Sequence, residues 1–301
     1  MLAILGPFLS RIVAAMNNPM RGVLAMVVAV AAFSLMDAVL KLFAARYPAL
    51  QVTAIRALAS LPFVLLPLWH GGRLAELRPR RPGLHLLRGL IGVVMLAGFV
   101  FALRESSLTA VYSVYMGAPL LIAVLAAWWL KERVDRIRWL AIVAGFVGVL
   151  IILQPRADGL SLLAGLAAFV SALCYALAVI IGRVLTRAEH SSAIVFSYLL
   201  IMCVVAAAFA LPAWVAVRLE HYPLIVAVGG LGAVGQFYIT EAFRQAPASV
   251  VAPIEYTALL WGIGIDFLAW SVLPNLTMLG GASLVVAAGI LVTWRERSSP
   301  A

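Results

Sequence analysis

Charge is what this sequence has least of. Of its 301 residues only 11% are Asp, Glu, Lys or Arg, and 12 acids face 22 bases. A soluble fold must cover itself with polar groups, so this shortage excludes a water-soluble domain. Cysteine is nearly missing. Cys174 and Cys203 both sit inside apolar runs, which fits packing residues rather than a disulfide or a metal pair. The four histidines, His70, His85, His190 and His221, fall in loops or at helix ends without metal-ligand spacing, so no metal is expected. No glycine-rich phosphate loop with its lysine occurs, so an ATP-driven machine is excluded. The net charge of +10 has no aromatic-interleaved basic stripe behind it, which excludes nucleic acid as a partner. No cofactor-binding pattern stands out. No loop is long enough to form a soluble domain.

Residues 1–20 lack the small-residue cleavage pattern of a secretory signal, and Arg11 interrupts their apolar stretch. They read either as an interfacial helix or as a tail.

Apolar length is what is there. Hydrophobic residues make up 65% of the chain, and mean hydropathy is +1.09. Runs of ~20 apolar residues, the bilayer length for a helix, recur from end to end. Ten spans are predicted at 22–45, 50–69, 84–103, 108–130, 137–154, 160–182, 192–217, 222–243, 248–270 and 276–294. Turns are marked by Pro48, by 71–83, by 104–107, by 155–159 and by similar polar breaks further on. With both termini cytoplasmic, the inner loops and ends hold fifteen Lys and Arg. The outer ones hold four, Arg46, Arg104, Arg156 and Arg218. The positive-inside rule therefore puts both termini in the cytoplasm and supports an even number of spans.

The stretch Ala102–Val134 has a weaker copy beginning at Ala242, an offset of 140 residues. Each copy opens on a short polar turn and runs into a membrane helix that carries a proline. Arg138–Ile152 falls on Met278–Val292 at the same offset. The copies start at spans 3–4 and 8–9, so the unit is five helices. Five is odd, and the second unit must lie upside down relative to the first. The expected fold is all-α and integral to the membrane, two inverted five-helix repeats over 21–155 and 156–297. Secondary transporters are built this way, with the substrate near the midplane between repeats.

Ionisable groups inside lipid cost ~2.5–3.5 kcal/mol each on insertion scales and are functional candidates for that reason. Asp37 is predicted ~12 Å deep and Arg56 ~9 Å deep from the same side, with Lys41 one turn from Asp37. These three are expected to meet, either as a structural ion cluster or as a gate or zwitterion site. Glu255 lies two positions after Pro253, and its repeat partner Tyr115 lies four before Pro119. A proline inside a membrane helix frees a carbonyl and bends the helix, which suits a pocket. The alternative for Glu255 is a purely structural pairing. Tyr112, Tyr115, Tyr175, Gln236, Tyr238, Glu255 and Tyr256 are the expected substrate contacts, since tyrosine offers an apolar face with a hydroxyl. Tyr198 also lies in a span. Glu241 is expected to pair with Arg244, and Asp266 to sit near water at an outer helix end. Small residues at Ala178/Gly182, Ala141/Gly145 and Ala168/Ala172/Ala176 fit close helix packing.

Four features carry a family resemblance. They are ALRESSLTAVYSVYMGAPL at 102–120, the LKER stop with Glu132, GFVGVLIIL at 145–153 and FRQAPASVVAPIEYTALLW at 243–261. Over residues 20–295 the chain resembles the drug/metabolite transporter superfamily, of the ten-helix EamA type. The pattern Asp37-x-x-x-Lys41, followed by Arg56, resembles members related to metabolite and S-adenosylmethionine carriers. One departure is that no glutamate near Ser271 answers Glu132. The resemblance implies a multi-pass protein of the bacterial inner membrane, a monomer or homodimer rather than an enzyme. It implies alternating access between the repeats and export of amino acids and related metabolites. Uptake of a cofactor-like solute such as S-adenosylmethionine is the second reading. An integral-membrane enzyme or a channel is disfavoured, since neither a catalytic constellation nor a ring of charges or carbonyls is seen.

Overall fold

The computed structural model describes residues 18–129, 136–152, 161–246, 251 and 254–298. Every regular element among them is helical. The helices are α1 (Asn18–Ala44), α2 (Ala49–His70), α3 (Pro82–Glu105), α4 (Leu108–Tyr115), α5 (Ala118–Trp129) and α6 (Arg136–Ile152). They continue as α7 (Leu162–Thr186), α8 (Ser191–Ala210), α9 (Tyr222–Gln245), α10 (Thr257–Trp270) and α11 (Leu276–Ser298). Among the described residues, six stretches are long and apolar enough to cross a bilayer, and four more apolar helices are shorter. The chain is a multi-pass membrane protein. The LKER segment with Glu132, Pro253 and the turn at 155–159 lie outside the described residues.

The helices are inside-out relative to soluble ones. Large apolar side chains such as Leu140, Phe209, Leu260 and Leu268 point outward, while Ala168, Ala172 and Ala176 are fully buried. Lipid solvates the large groups, and small ones let backbones approach. The most extensive interfaces pair α1 with α9, α3 with α7, α2 with α8 and α6 with α11. Glycine brings backbone against backbone at Gly229, where a Cβ would run into the carbonyl of Ala59 on α2. Gly89 on α3 makes the matching approach to Ile201 on α8.

Each proline-bearing span was expected to be one bent helix. Both are broken instead. Between α4 and α5 the chain turns at Met116–Gly117, with Gly117 N–H bonding back to Val114 at 3.0 Å. Pro119 has no N–H to return to Tyr115, so the helical ladder cannot continue across this point. In the second half the break falls at Tyr256, just before α10. The two breaks are 140 residues apart.

The N–H groups in the first turn of a membrane helix must also find partners. At the start of α4 all of them do. Asp266 on α10 accepts the N–H of Leu108 at 3.1 Å and that of Thr109 at 2.7 Å, and also the Thr109 hydroxyl at 2.8 Å. Ser107 takes the other two, its hydroxyl from Ala110 N–H at 3.1 Å and its carbonyl from Val111 N–H at 3.1 Å. Lys41 Nζ completes the carboxylate at 3.0 Å and lies 4.2 Å from the centre of the Trp270 ring. Asp266 is 0% exposed, which corrects the expectation of a wet carboxylate. The expected Asp37–Lys41–Arg56 cluster is also corrected. Lys41 is drawn to Asp266 because a carboxylate already poised on two backbone N–H groups offers a full counter-charge.

The helix ends are tied in two layers. At the basic end, Glu189 between α7 and α8 accepts from Arg81 N–H at 2.9 Å and pairs with His85 Nε2 at 2.7 Å. Arg244 Nη2 donates to the Glu189 carbonyl at 2.8 Å. Glu241 pairs with Arg244 at 3.7 Å and accepts from Ser191 at 2.6 Å. At the opposite end, the Tyr47 hydroxyl bonds His221 Nδ1 at 2.7 Å, and the Gln51 amide makes paired bonds of 2.6 and 2.9 Å with the Val215 backbone.

Two stability predictions follow from these contacts. Gly229→Ala should destabilise the detergent-solubilised protein by ~1–3 kcal/mol, since backbone lies where the methyl would go. Gly264→Ala, with nothing within 4 Å, should leave the melting temperature unchanged or raise it. Asp266→Asn should cost ~3–5 kcal/mol, because it strands a part-buried lysine and one of two N–H groups. Lys41→Met should cost less, since three donors still hold Asp266. The opposite order in thermal unfolding would show that the lysine, not the helix start, sets the strength of this node.

Candidate functional site

A cavity runs through the middle of the helices. It is walled by α1, α2, α3, α4, α7, α8 and α9 and by Glu255 and Ala258 at the α10 break. Its volume is about 160 Å³, similar to a cavity that holds one aromatic ring. The lining is mostly apolar, with Met36, Met95, Leu96, Phe99 and Phe243 among the larger contributors. No histidine or cysteine lines it. Among the described residues no group of His, Cys, Asp and Glu is arranged to hold a metal.

Two carboxylates enter this apolar space, and each is held by one tyrosine. Tyr112 donates to Asp37 Oδ2 at 2.7 Å, and Tyr175 donates to Glu255 Oε1 at 3.1 Å. Both acids are buried, and neither has a base within ion-pairing distance among the described residues. Between them the rings of Phe99, Tyr115 and Tyr175 pack in sequence, the first pair edge-on and the second tilted, with centroids 5.4 Å apart at each step. The break after α4 makes this possible. It ends the helix at Tyr115, so Tyr112 and Tyr115 present their rings to the cavity just before the chain turns.

One turn beyond Asp37 and Tyr112 lies the layer of Lys41, Asp266, Leu108 and Thr109. It closes the cavity at that end. Gly262 on α10 packs against the Tyr112 ring, where a Cβ would meet it at 2.8 Å. Towards the basic end the lining continues to Arg88, Arg183 and Thr186. The arrangement can hold a small amphiphilic solute with polar contacts at separated points. It brings together no nucleophile and base.

Of the expected contacts, Tyr112, Tyr115, Tyr175, Gln236 and Glu255 line the cavity, as do Asp37 and Arg56. Tyr256 does not. It is buried with its ring over Gly289, where any Cβ would overlap the hydroxyl. Tyr238 is 39% exposed on the outer face of α9, edge-on to Phe237. Both are placed by helix phase, which a span boundary uncertain by a residue or two does not resolve. Arg56 Nε contacts Met36 Sδ at 3.3 Å rather than a carboxylate. Arg88, within the third predicted span and not among the expected contacts, also lines the cavity. The signal available was its place in a span whose facing helix carries Ala178 and Gly182, small enough to admit an arginine.

A family model described as the EamA-like transporter family matches residues 20–154. The pseudopaline exporter CntI of Pseudomonas aeruginosa is 30% identical, over 88% of this chain and 94% of that protein. A riboflavin transporter of Vibrio cholerae is 27% identical, over 94% and 96%. An S-adenosylmethionine uptake transporter of Rickettsia felis is 25% identical, over 79% of each. A solved crystal structure aligns with a TM-score of 0.68 at 17% identity, over 92% of this chain and 98% of that one, which shows a shared fold. On these full-length relatives and the matched family model, the chain belongs to the EamA-like transporter family.

Proposed function

We propose that this protein is a secondary transporter of small metabolites in the bacterial inner membrane, working by alternating access between two inverted five-helix repeats. The observation that carries the proposal is the cavity at the two helix breaks, closed at one end by the Lys41–Asp266 layer. A carrier needs a site near mid-depth and a closure that can be exchanged from one side to the other.

The inverted repeat is supported by the packing. Adding or subtracting 140 turns the α1–α9 interface into α7–α3, and α2–α9 into α8–α3. It leaves α2–α8 and α6–α11 paired with themselves, as a two-fold axis requires. At the last of these, Gly145 packs on Ala288 and Gly148 on Val285, and exchanging the halves converts one contact into the other. The residue numbers run in opposite directions, so these two helices are antiparallel, which supports halves that lie upside down relative to each other. With the basic end in the cytoplasm, the cavity reaches furthest towards that side.

The substrate reading is export of amino acids and related metabolites. An apolar, tyrosine-rich lining with separated acidic and basic groups suits a zwitterion with a ring or alkyl body. The proposed contacts are Asp37, Tyr112, Tyr115, Tyr175, Gln236 and Glu255. Uptake of a cofactor-like metabolite is the second reading. It is favoured by the relatives named as a riboflavin transporter and an S-adenosylmethionine uptake transporter. The Asp37–Lys41–Arg56 pattern no longer speaks for it, since Lys41 is engaged elsewhere.

Counterflow in proteoliposomes, with labelled amino acids, riboflavin and S-adenosylmethionine, separates the two readings. Oriented vesicles report direction. Glu255→Gln and Tyr175→Phe should each lower flux about tenfold or more, the loss of one charge-assisted hydrogen bond. Tyr238→Ala, outside the cavity, should leave flux unchanged. Unaltered flux in a folded Glu255→Gln protein at every pH would remove the cavity from the transport path.

A further inference from the structure

Arg88 is a buried guanidinium with an aromatic platform and two backbone acceptors but no anion among the described residues. It is 8% exposed and sits on α3 where α7 and α8 converge. Its ring partner is Tyr198, with the guanidinium carbon 4.4 Å from the ring centre. Gly92, one turn along α3, makes room for that tyrosine, since a Cβ there would overlap the ring. Gly182 leaves the opposite wall open, its absent Cβ 3.6 Å from Arg88 Nε. Two donors are used, both on long bonds to backbone carbonyls: Nε to Ala178 at 3.4 Å and Nη1 to Ile194 at 3.3 Å. Nη2 has no partner among the described residues, and it is not sealed from the cavity.

A buried cation without a counter-charge is costly, and a guanidinium is shaped to take a carboxylate on two parallel donors. The other charges in the bundle differ. Lys41 has Asp266, and the two cavity acids have tyrosine hydroxyls. Arg56 also lacks an ion pair and also lines the cavity, but its Nε is held on Met36 Sδ and its Nη1 is buried without a partner. Arg183 is only partly buried, over Phe243 near the end of α7. Tyr198, Gly92, Gly182 and Ala178 therefore form a niche that fixes one guanidinium and leaves a donor facing the solute.

We propose that Arg88 binds the carboxylate of the transported solute, so that the substrates of this carrier are carboxylate-bearing metabolites. This rests on the reading of the cavity as the transport site. The carboxylate is the natural counter-ion for the niche, and the apolar body of the solute lies along Tyr115 and Tyr175. Arg88 is then the group that separates an acid from its neutral derivative.

Two probe pairs test this by counterflow and by ligand-induced shifts in melting temperature. They are L-phenylalanine with L-phenylalaninamide, and S-adenosylmethionine with its decarboxylated form. The wild-type protein should favour each acid over its carboxyl-free partner by about tenfold or more. Arg88→Gln should abolish that preference, and Arg88→Lys should keep part of it. Melting and gel filtration confirm folding, and if Arg88→Gln does not fold, the ratio in Arg88→Lys decides. A preference retained in a folded Arg88→Gln protein overturns the proposal, as does a wild type that handles no acid better than its partner. Tyr175→Trp, which fills the cavity, separates the two levels. If it blocks flux while Arg88→Gln keeps the preference, only the role of Arg88 fails. If flux of every probe survives it, the cavity reading falls and this inference with it.

Discussion

The structure turns on one buried carboxylate. The first turn of a helix exposes N–H groups that need partners. Asp266 satisfies two of them at the start of α4, together with a hydroxyl, and the charge it brings is met by Lys41. Without it α4 would begin on bare amides beside a part-buried lysine with no counter-charge. Held at its start by Asp266, α4 is a short piece of eight residues that stops at Tyr115. The turn at Met116 then sets the aromatic rings against the cavity, and its own N–H groups bond back to Tyr112 and Val114.

Matched positions in the two halves carry unlike chemistry. Tyr115 precedes one break and Glu255 the other, so the first half presents a phenol where the second presents an acid. Asp37 and Glu255 are each held by a tyrosine from a different helix, Tyr112 on α4 and Tyr175 on α7. On the proposed reading, equal scaffolds let the halves exchange positions, and unequal linings let one solute be held in a single orientation. A perfectly symmetric lining would give no reason to prefer either end of an amphiphile.

The helical spans were legible because run length alone fixes them: α1, α3, α7 and α9 fall within a few residues of where apolar length puts them. The breaks were only half legible. Pro119 announces that the ladder is interrupted, but whether the helix bends or stops there depends on the turn at Met116–Gly117. The partner of Lys41 is 225 residues away, and spacing on α1 shows only that Asp37 is nearby. Tyr238 and Tyr256 were placed by span membership, and the face of a lipid-exposed helix is poorly marked when both faces are apolar. For Arg88 nothing in its span marks which helices it faces, and only the meeting of α3, α7 and α8 turns it inward.

The closing layer and the site are coupled by their spacing. Lys41 lies one turn above Asp37 on α1, and Leu108 and Thr109 lie about one turn above Tyr112 on α4. The upper pair of helices is joined through Asp266 and the lower pair through the Asp37–Tyr112 bond at 2.7 Å. α10 reaches both levels, at Asp266 above and at Gly262 against the Tyr112 ring below. Parting α10 from α1 and α4 to open that end would break the Lys41–Asp266 contact and release the Tyr112 ring together. On alternating access, a solute that competes for Asp37 or Tyr112 thus acts on the same helices that hold the exit shut. Such a linkage ties occupancy to opening without any wire between distant sites, since one turn of helix separates the two layers.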